Sequence, residues 1–294
     1  MESNWRNYTS DDSDDRLREI LDAPAGAYEE LDYIPDRARL TYTNGFYVNC
    51  TAVFIDIRGS SNLTSMHTTP VLGKIYRAYI SECIALLNTY RQCKEIFIAG
   101  DCVSGIFNTP SKADILEALV AAASLNSLIN HLNWRLEKKG YTPIKCGIGI
   151  SYGRALMLKS GYTGSGLNDV VWMGNVVNDA SNLCHQGNKN GQLPVQVATV
   201  VYQNLDAYPK SLLSPVYEPF LPIRITHYQG DVIHKGMQDW LDNRKTIASN
   251  NSMTALMLLA GGQIATPPYS SVNSSQDTLA SLLYPSTKKK INWL

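Results

Sequence analysis

The chain has 294 residues, 44% of them apolar, and its 26 lysines and arginines balance 26 aspartates and glutamates. That composition excludes a fibrous or wholly disordered chain. Zero net charge also argues against a surface built to grip nucleic acid, leaving a small molecule or another protein as the expected partner.

Met1 to Asp15 is polar and acidic and lacks the apolar stretch of a signal peptide. No later run reaches the roughly 18 apolar residues of a membrane span. The expectation is a cytoplasmic protein with no membrane span. Cys50, Cys83, Cys93, Cys102, Cys146 and Cys184 form no Cys-x-x-Cys pair and stand at no zinc-like spacing to the histidines, so all six are expected to be reduced.

Residues 1–47 read as an N-terminal extension. In it Ser10-Asp11-Asp12-Ser13-Asp14-Asp15 precedes Leu17-Arg18-Glu19-Ile20-Leu21. Ser and Asp at a helix start accept free backbone N–H groups and face the positive end of the dipole, which accounts for these aspartates better than a cation site does. Val48 to Ile57 is β-branched and apolar and ends at Arg58-Gly59-Ser60-Ser61, a first strand running into a turn. Val71, Leu72, Ile75, Tyr79, Cys83 and Leu87 recur at helical spacing, predicting a helix that ends near Tyr90. Glu95 to Ala99 and Cys102 to Phe107 flank Gly100-Asp101 as a hairpin. Ser111 and Asp114 open a second long helix as a capping box, and Gly140 stands where a left-handed cap belongs. Ile144 to Tyr152 is the fourth strand.

Beyond it come a glycine-rich connector (Gly161, Gly164, Gly166), the apolar run Val170 to Met173, and a helix from Asn175 to Cys184. Ile223 to Tyr228 and Val232-Ile233 predict a closing hairpin around Gln229-Gly230-Asp231. The principal domain therefore spans 48–248. The C-terminal extension, 249–294, is Ser/Thr/Pro-rich, with apolar patches at Ala255 to Leu259 and Leu279 to Leu283 that dock as short helices or stay flexible.

The order β-α-β-β-α-β is the ferredoxin-like split βαβ arrangement of the α+β class, with two helices on one face of an antiparallel sheet. Right-handed crossovers order the strands fourth, first, third, second. First and third strands are then neighbours, so Asp56, near the end of the first, and Asp101, in the hairpin turn, converge at one sheet edge. Each aspartate alone reads better as an ordinary turn or loop residue than as a ligand. As a converging pair beside Gly59-Ser60-Ser61 they suit divalent cations holding a polyphosphate. The N–H groups of Gly59 to Asn62 are placed to meet phosphate oxygens at the start of the first long helix. Gly161 to Gly166 has the wrong spacing for a dinucleotide site, and neither a phosphate loop nor a Gly-x-Ser-x-Gly elbow occurs.

These residues carry a resemblance. Phe54-Ile55-Asp56-Ile57-Arg58-Gly59-Ser60-Ser61 resembles the first metal motif of the class III nucleotidyl cyclases, and Ile98-Ala99-Gly100-Asp101 the second. Cys146-Gly147-Ile148-Gly149-Ile150 resembles the strand after the second helix, and Met173-Gly174-Asn175-Val176-Val177-Asn178-Asp179-Ala180-Ser181 the family's Gly-Asn-x-Val-Asn-x-Ala segment. The resemblance implies a cyclase catalytic domain with extra C-terminal elements, acting as a homodimer with active sites at the interface. It implies two Mg²⁺ or Mn²⁺ ions bridging Asp56, Asp101, the Ile57 carbonyl and the triphosphate of a nucleotide substrate. It implies that Asn178, from the partner chain, orients the ribose.

Two departures concern the base. Where purine cyclases carry polar base readers, this chain has Phe97 and Val171. An apolar Phe97 suits a smaller base, or is simply a core strand residue; a site without hydrogen-bonding readers disfavours adenine. With Tyr152 to Met157 and Asn168 to Gly174, the combination resembles the bacterial pyrimidine cyclases of the Pycsar anti-phage systems, which implies cyclic UMP or cyclic CMP made from UTP or CTP and read by a separate effector protein. UTP is favoured. A third departure is Asn182, where many members carry an arginine for the α-phosphate. Arg58 and Arg154 are candidate substitutes, or a solvated loop residue and a structural salt bridge respectively. Lys235 is a candidate for a terminal phosphate, or an exposed turn lysine. The competing readings are a nucleotide sensor without turnover and an adenylate cyclase with a rebuilt base pocket.

Overall fold

The structure, a computed structural model, describes residues 2–24, 28–218, 221–259 and 278–286. In chain order its elements are α1 (Ser10–Leu21), β1 (Tyr28–Leu31), β2 (Gly45–Ile57), α2 (Ser60–Met66), α3 (Thr69–Leu87), β3 (Cys93–Ala99), β4 (Cys102–Asn108), α4 (Lys112–Lys138), β5 (Cys146–Tyr162), β6 (Leu167–Met173), α5 (Asn175–Gln186), β7 (Val195–Ala198), α6 (Thr199–Asn204), α7 (Ala207–Ser211), β8 (Ser214–Glu218), β9 (Leu221–Gly230), β10 (Val232–His234), α8 (Lys235–Leu259) and β11 (Leu283–Pro285).

β2 and β5 form the spine, antiparallel in unbroken register from Gly45↔Leu158 to Ile57↔Cys146. Strand alternation sends Val53, Ile55 and Ile57 to one face and Ala52, Phe54 and Asp56 to the other. On the first face Ile148, Ile150, Val195 and Val197 join them against Ile75 and Tyr79 of α3, Leu119 and Leu125 of α4, and Val201 of α6. Each such fully buried aliphatic contributes about 1.5–3 kcal/mol. On the second face Val48, Met157 and Trp172 build a smaller core, closed by Val176 and Ala180 of α5 and by Ile34 and Leu40 of the N-terminal segment. The strand order is β3-β4-β2-β5-β7-β9-β8, with β1 on β2 and β6 on β5. The four strands β5, β2, β4 and β3 stand in the expected order. α4 is long and apolar enough to cross a membrane by composition, yet 78% of that window is buried in the fold, as a core helix.

Local signals are realised where the sequence places them. Ser111 and Asp114 close a capping box on α4, Gly140 follows with φ 69°, and Gly100 turns the β3–β4 hairpin with φ 65°. At α1 the aspartates Asp11 and Asp12 stand in the first turn as expected, but the cap is Thr9, whose side chain accepts from the Asp12 N–H at 3.1 Å. All six cysteines are free thiols.

Other expectations need correction. The expected domain boundaries fall inside elements: residue 47 within β2 and residue 248 within α8. The N-terminal extension is built into the sheet, because β1 pairs parallel with Gly45 to Val48. Gly59 to Asn62 open the short α2, not the first long helix; α3 begins separately, with a proline in its first turn. β5 does not end at Tyr152 but runs to Tyr162 and folds back as β6 through Gly161, Gly164 and Gly166, all with positive φ. The closing hairpin does not form: β9 pairs with β7 and β8, and β10 pairs with β11. The reason is capture by α4, whose Asn126 side chain donates to Asp231 at 2.9 Å and to the Val232 carbonyl at 3.0 Å. Of the C-terminal patches, Leu279–Leu282 docks as one 3-10 turn, while the side chains of Ala255 to Leu259, at the end of α8, lie outside the described residues.

Candidate active site

Asp56 lies opposite Gly147 of β5, one residue beyond the Ile55↔Val103 pair that joins β2 to β4. That puts it beside Cys102, the first residue of β4, which Asp101 immediately precedes. Gly147 and Gly149 explain why glycines are needed there. A Cβ at Gly149 would stand 2.0 Å from the Ala180 carbonyl, and one at Gly147 2.2 Å from the Cys184 carbonyl, so α5 lies directly on the β5 backbone. This close packing buries the edge of the site.

The two carboxylates feel each other. Burial, and then the Asp101 charge, raise the Asp56 carboxyl above its ordinary range, while Arg58, His185 and Lys189 pull the other way. Burial and the same two aspartate charges push the Cys102 thiol up to about 12. Asp101 Oδ2 is buried with no hydrogen-bond partner. An orphaned buried carboxylate oxygen facing a second carboxylate fits a hard divalent cation. Among the described residues no group of three or more acidic, His or Cys side chains forms a closed metal cage. Two carboxylates leaving coordination positions for substrate phosphates is the pattern Mg²⁺ and Mn²⁺ favour.

Next to Asp56 on the same face runs a cross-strand row, Phe97–Ser104–Phe54–Gly149. It stands two residues, about 6.6 Å, from the Asp56 row. Phe54 and Phe97 are half-buried against the smaller core, and Ser104 is buried. Phe97 therefore lies on the aspartate face of the sheet and not in the main helical core. Gly59 caps α2 with φ 64°, and Ser60 and Ser61 form that helix's first turn beside Ile57 and Arg58.

Arg58 is not a solvated loop residue. Its side chain is 8% exposed, and Nη2 lies 2.9 Å from Asp56 Oδ2. Arg154 is held in an ion pair away from its own chain's aspartates: it pairs with Glu30 at 2.7 Å, lies over the Tyr47 ring at 3.6 Å, and sits opposite Asn49. Alternation puts it on the other face of the sheet, about 23 Å along the spine from Asp56. Lys235 opens α8 on the α4 side, where the neighbouring His234 N–H donates to Ser127 Oγ at 2.7 Å. Val171 is exposed and opposite Leu158, about 35 Å along β5 from Gly147. Asn178 and Asn182 lie on the solvent face of α5. Among the expected site residues, one chain thus gathers Asp56, Asp101, Ile57, Arg58, Gly59, Ser60, Ser61, Phe54 and Phe97, and holds Val171 apart.

Sequence reasoning missed Tyr76 of α3. Burial, then the Asp101 charge, raise its phenol, with Ser60 opposing and Asp56 adding. Tyr76 is one more residue of an amphipathic helix, and only the topology brings it to the aspartates. His185 and Lys189, which also act on Asp56, carry no local signal either.

Residues 43–217 match the Adenylate and Guanylate cyclase catalytic domain family. The chain is 42% identical over 216 residues to a protein of Gulbenkiania mobilis named uridylate cyclase, covering 71% of this chain and 83% of that one. It is 36% identical over 228 residues to a protein of Treponema porcinum of the same name, covering 77% and 78%. Among solved structures, the adenylyl cyclase CyaB from P. aeruginosa superposes with TM-score 0.52 at 21% identity, covering 63% of this chain and 95% of that one. A class III adenylyl cyclase-like ATP-binding protein from Pseudomonas aeruginosa gives 0.54 at 20% identity, covering 70% and 46%. At that identity the structural likeness speaks for the fold alone. With its family match spanning more than half its length and its aspartate pair brought together at the ends of β2 and the β3–β4 hairpin, the chain belongs to the class III adenylate and guanylate cyclase family.

Proposed function

We propose that the protein is a uridylate cyclase, converting UTP to 3′,5′-cyclic UMP and pyrophosphate as a cytoplasmic homodimer. The observation that carries this reading is the juxtaposition of Asp56 and the orphaned Asp101 oxygen beside the phenylalanine row. The names of the two relatives support uracil over cytosine. Asp56, Asp101 and the Ile57 carbonyl would hold two Mg²⁺ or Mn²⁺ ions. When bound, these acidify the ribose 3′-hydroxyl and neutralise charge on the triphosphate. The 3′-oxygen attacks the α-phosphorus in line, the bond to the bridging oxygen breaks, the proton leaves to solvent and pyrophosphate departs. Phe54 and Phe97 wall the base pocket, and Ser104 lies between them. Two phenyl groups narrow the pocket toward the size of a pyrimidine ring and leave too little room for a purine.

The partner chain supplies Asn178 to the ribose and Val171 to the rim. In support, Val171 and Met173 are apolar and exposed on β6, on a strand too far from Asp56 to serve its own chain's site. Arg58 orients Asp56 until a cation takes its place. In this reading the cyclic nucleotide is an anti-phage signal recognised by a separate effector protein. The sensor reading draws on Asn182 standing where a phosphate-binding cation is expected. Incubating the purified protein with each of four nucleoside triphosphates and Mn²⁺ decides. Cyclic UMP as main product is the expected result, cyclic CMP or cyclic AMP reassigns the base, and no product supports the sensor.

A further inference from the structure

Asn182 stands in the arginine position, Arg154 and Lys235 lie on the far side of the sheet from their own chain's aspartates, and Arg58 is engaged with Asp56, so a further cation near the site is of interest. α5 leads to one. Asn178, Asn182 and His185 are spaced i, i+4 and i+7 along its solvent face, toward the helix end. There Gly187 ends the helix against β5, a Cβ at that position standing 2.7 Å from Gly147 Cα. The turn that follows takes left-handed backbone at Asn188 (φ 55°), Asn190 (φ 49°) and Gly191 (φ 80°). It is pinned by Asn188 Nδ2 donating to the Cys146 carbonyl at 2.7 Å, and Cys146 is the cross-strand partner of Ile57.

This places Lys189 at the strand end that carries Asp56. Its Nζ is 2.8 Å from Nε2 of His185. The His185 carbonyl accepts from Arg58 Nη1 at 3.2 Å, and Arg58 is the residue paired with Asp56. Among the described residues Lys189 has no carboxylate within ion-pair distance, so its charge is left for an anion. The strand end, the pinned turn and the uncompensated ammonium converge on the same chain's aspartates.

We infer that Lys189 is a substrate-binding residue of its own chain's Asp56 site, its Nζ contacting the terminal phosphates of the nucleoside triphosphate and the departing pyrophosphate. The inference rests on the cyclase reading and adds to it a cation for the terminal phosphates. Favourable placement near the C-terminus of α5 would explain a lysine there without any substrate, and the two roles differ in what they affect.

The test is equilibrium binding, with Mn²⁺ present, of 3′-deoxy-UTP, which cannot cyclise, and of pyrophosphate and UMP, to the wild type, Lys189→Met and Lys189→Arg. Lys189→Met is expected to bind the triphosphate analogue and pyrophosphate about 10–100-fold more weakly, the range for a hydrogen bond to a charged group, with UMP affinity and melting temperature unchanged. Lys189→Arg should recover most of the loss. Unchanged triphosphate affinity in Lys189→Met, or an equal loss for UMP, overturns the assignment while leaving a wild type that turns over UTP a cyclase. A wild type that neither binds nor cyclises any nucleoside triphosphate overturns both.

Discussion

The β2–β5 spine has two halves that do different work. In the half from Ala52 to Ile57, β4 and β7 flank the pair, helices cover one face, and the other face carries Asp56, Phe54 and the glycines that admit α5. In the half from Gly45 to Val48, β1 and β6 flank the same two strands and no aspartate pair forms. Instead Arg154 pairs with Glu30, and Val171 and Met173 are left exposed. One half holds two carboxylates, with burial and the Asp101 charge raising the Asp56 carboxyl; the other is an arm whose outward residues include exposed apolar side chains. The lesson is that a continuous ladder can be chemically split; in the proposed homodimer the second part of the site would come from the partner subunit.

The comparison breaks first at the carboxylates. Asp56→Asn or Asp101→Asn is expected to lower UTP turnover by about 10³-fold or more, at the upper end of the cost of one preorganised electrostatic group, with the fold intact. Near-normal turnover in either variant would put the chemistry elsewhere. The metal-free Asp56→Asn protein should also melt higher at neutral pH. The Asp56 carboxyl is raised in the fold, chiefly by burial. Its stabilising contribution is therefore complete below the unfolded-state pKa and lost as pH rises through the folded value. Thermal melts across that acidic range should show a steeper decline for the wild type than for Asp56→Asn.

The phenylalanine row should respond next. Phe97→Ala enlarges the pocket, and the ratio of kcat/KM for UTP over ATP is expected to fall about 10–100-fold, the scale of discrimination by apolar pocket shape. An unchanged ratio would return Phe97 to a purely structural role. Gly149→Ala sharpens the packing side of the comparison. With the Ala180 carbonyl 2.0 Å from the new methyl, α5 must shift, costing about 1–3 kcal/mol in denaturant unfolding. The smallest effect belongs to the arm. Arg154→Ala should leave turnover unchanged, because an exposed ion pair on the opposite face touches neither aspartate.

The two halves also differed in how legible they were. Val48 to Ile57 alternates cleanly, Ser111 and Asp114 cap locally, and Gly100-Asp101 is a short-range turn, so the core order and the aspartate pair follow from nearby residues. The arm gave no such signal. Ala155 and Met157 are buried, but the charged Arg154 and Lys159 and the Ser160-Gly161 break hide the strand that carries them. Pairings between distant segments, β1 with β2 and β10 with β11, have no local signature at all. The position of Lys235 has no local signature for that reason: Asn126 redirects the chain after Gly230, and nothing in Gln229-Gly230-Asp231 announces it.

That the site is completed by two chains can be tested by mixing variants that are each inactive. Asp56→Asn and Asn178→Ala should each abolish cyclic UMP formation alone. Mixed and allowed to exchange subunits, they should regain about a quarter of wild-type activity, since half of randomly paired dimers hold one intact site of two. A mixture that forms heterodimers yet stays as dead as its parents would mean that Asp56 and Asn178 serve the same chain, and would contradict the account.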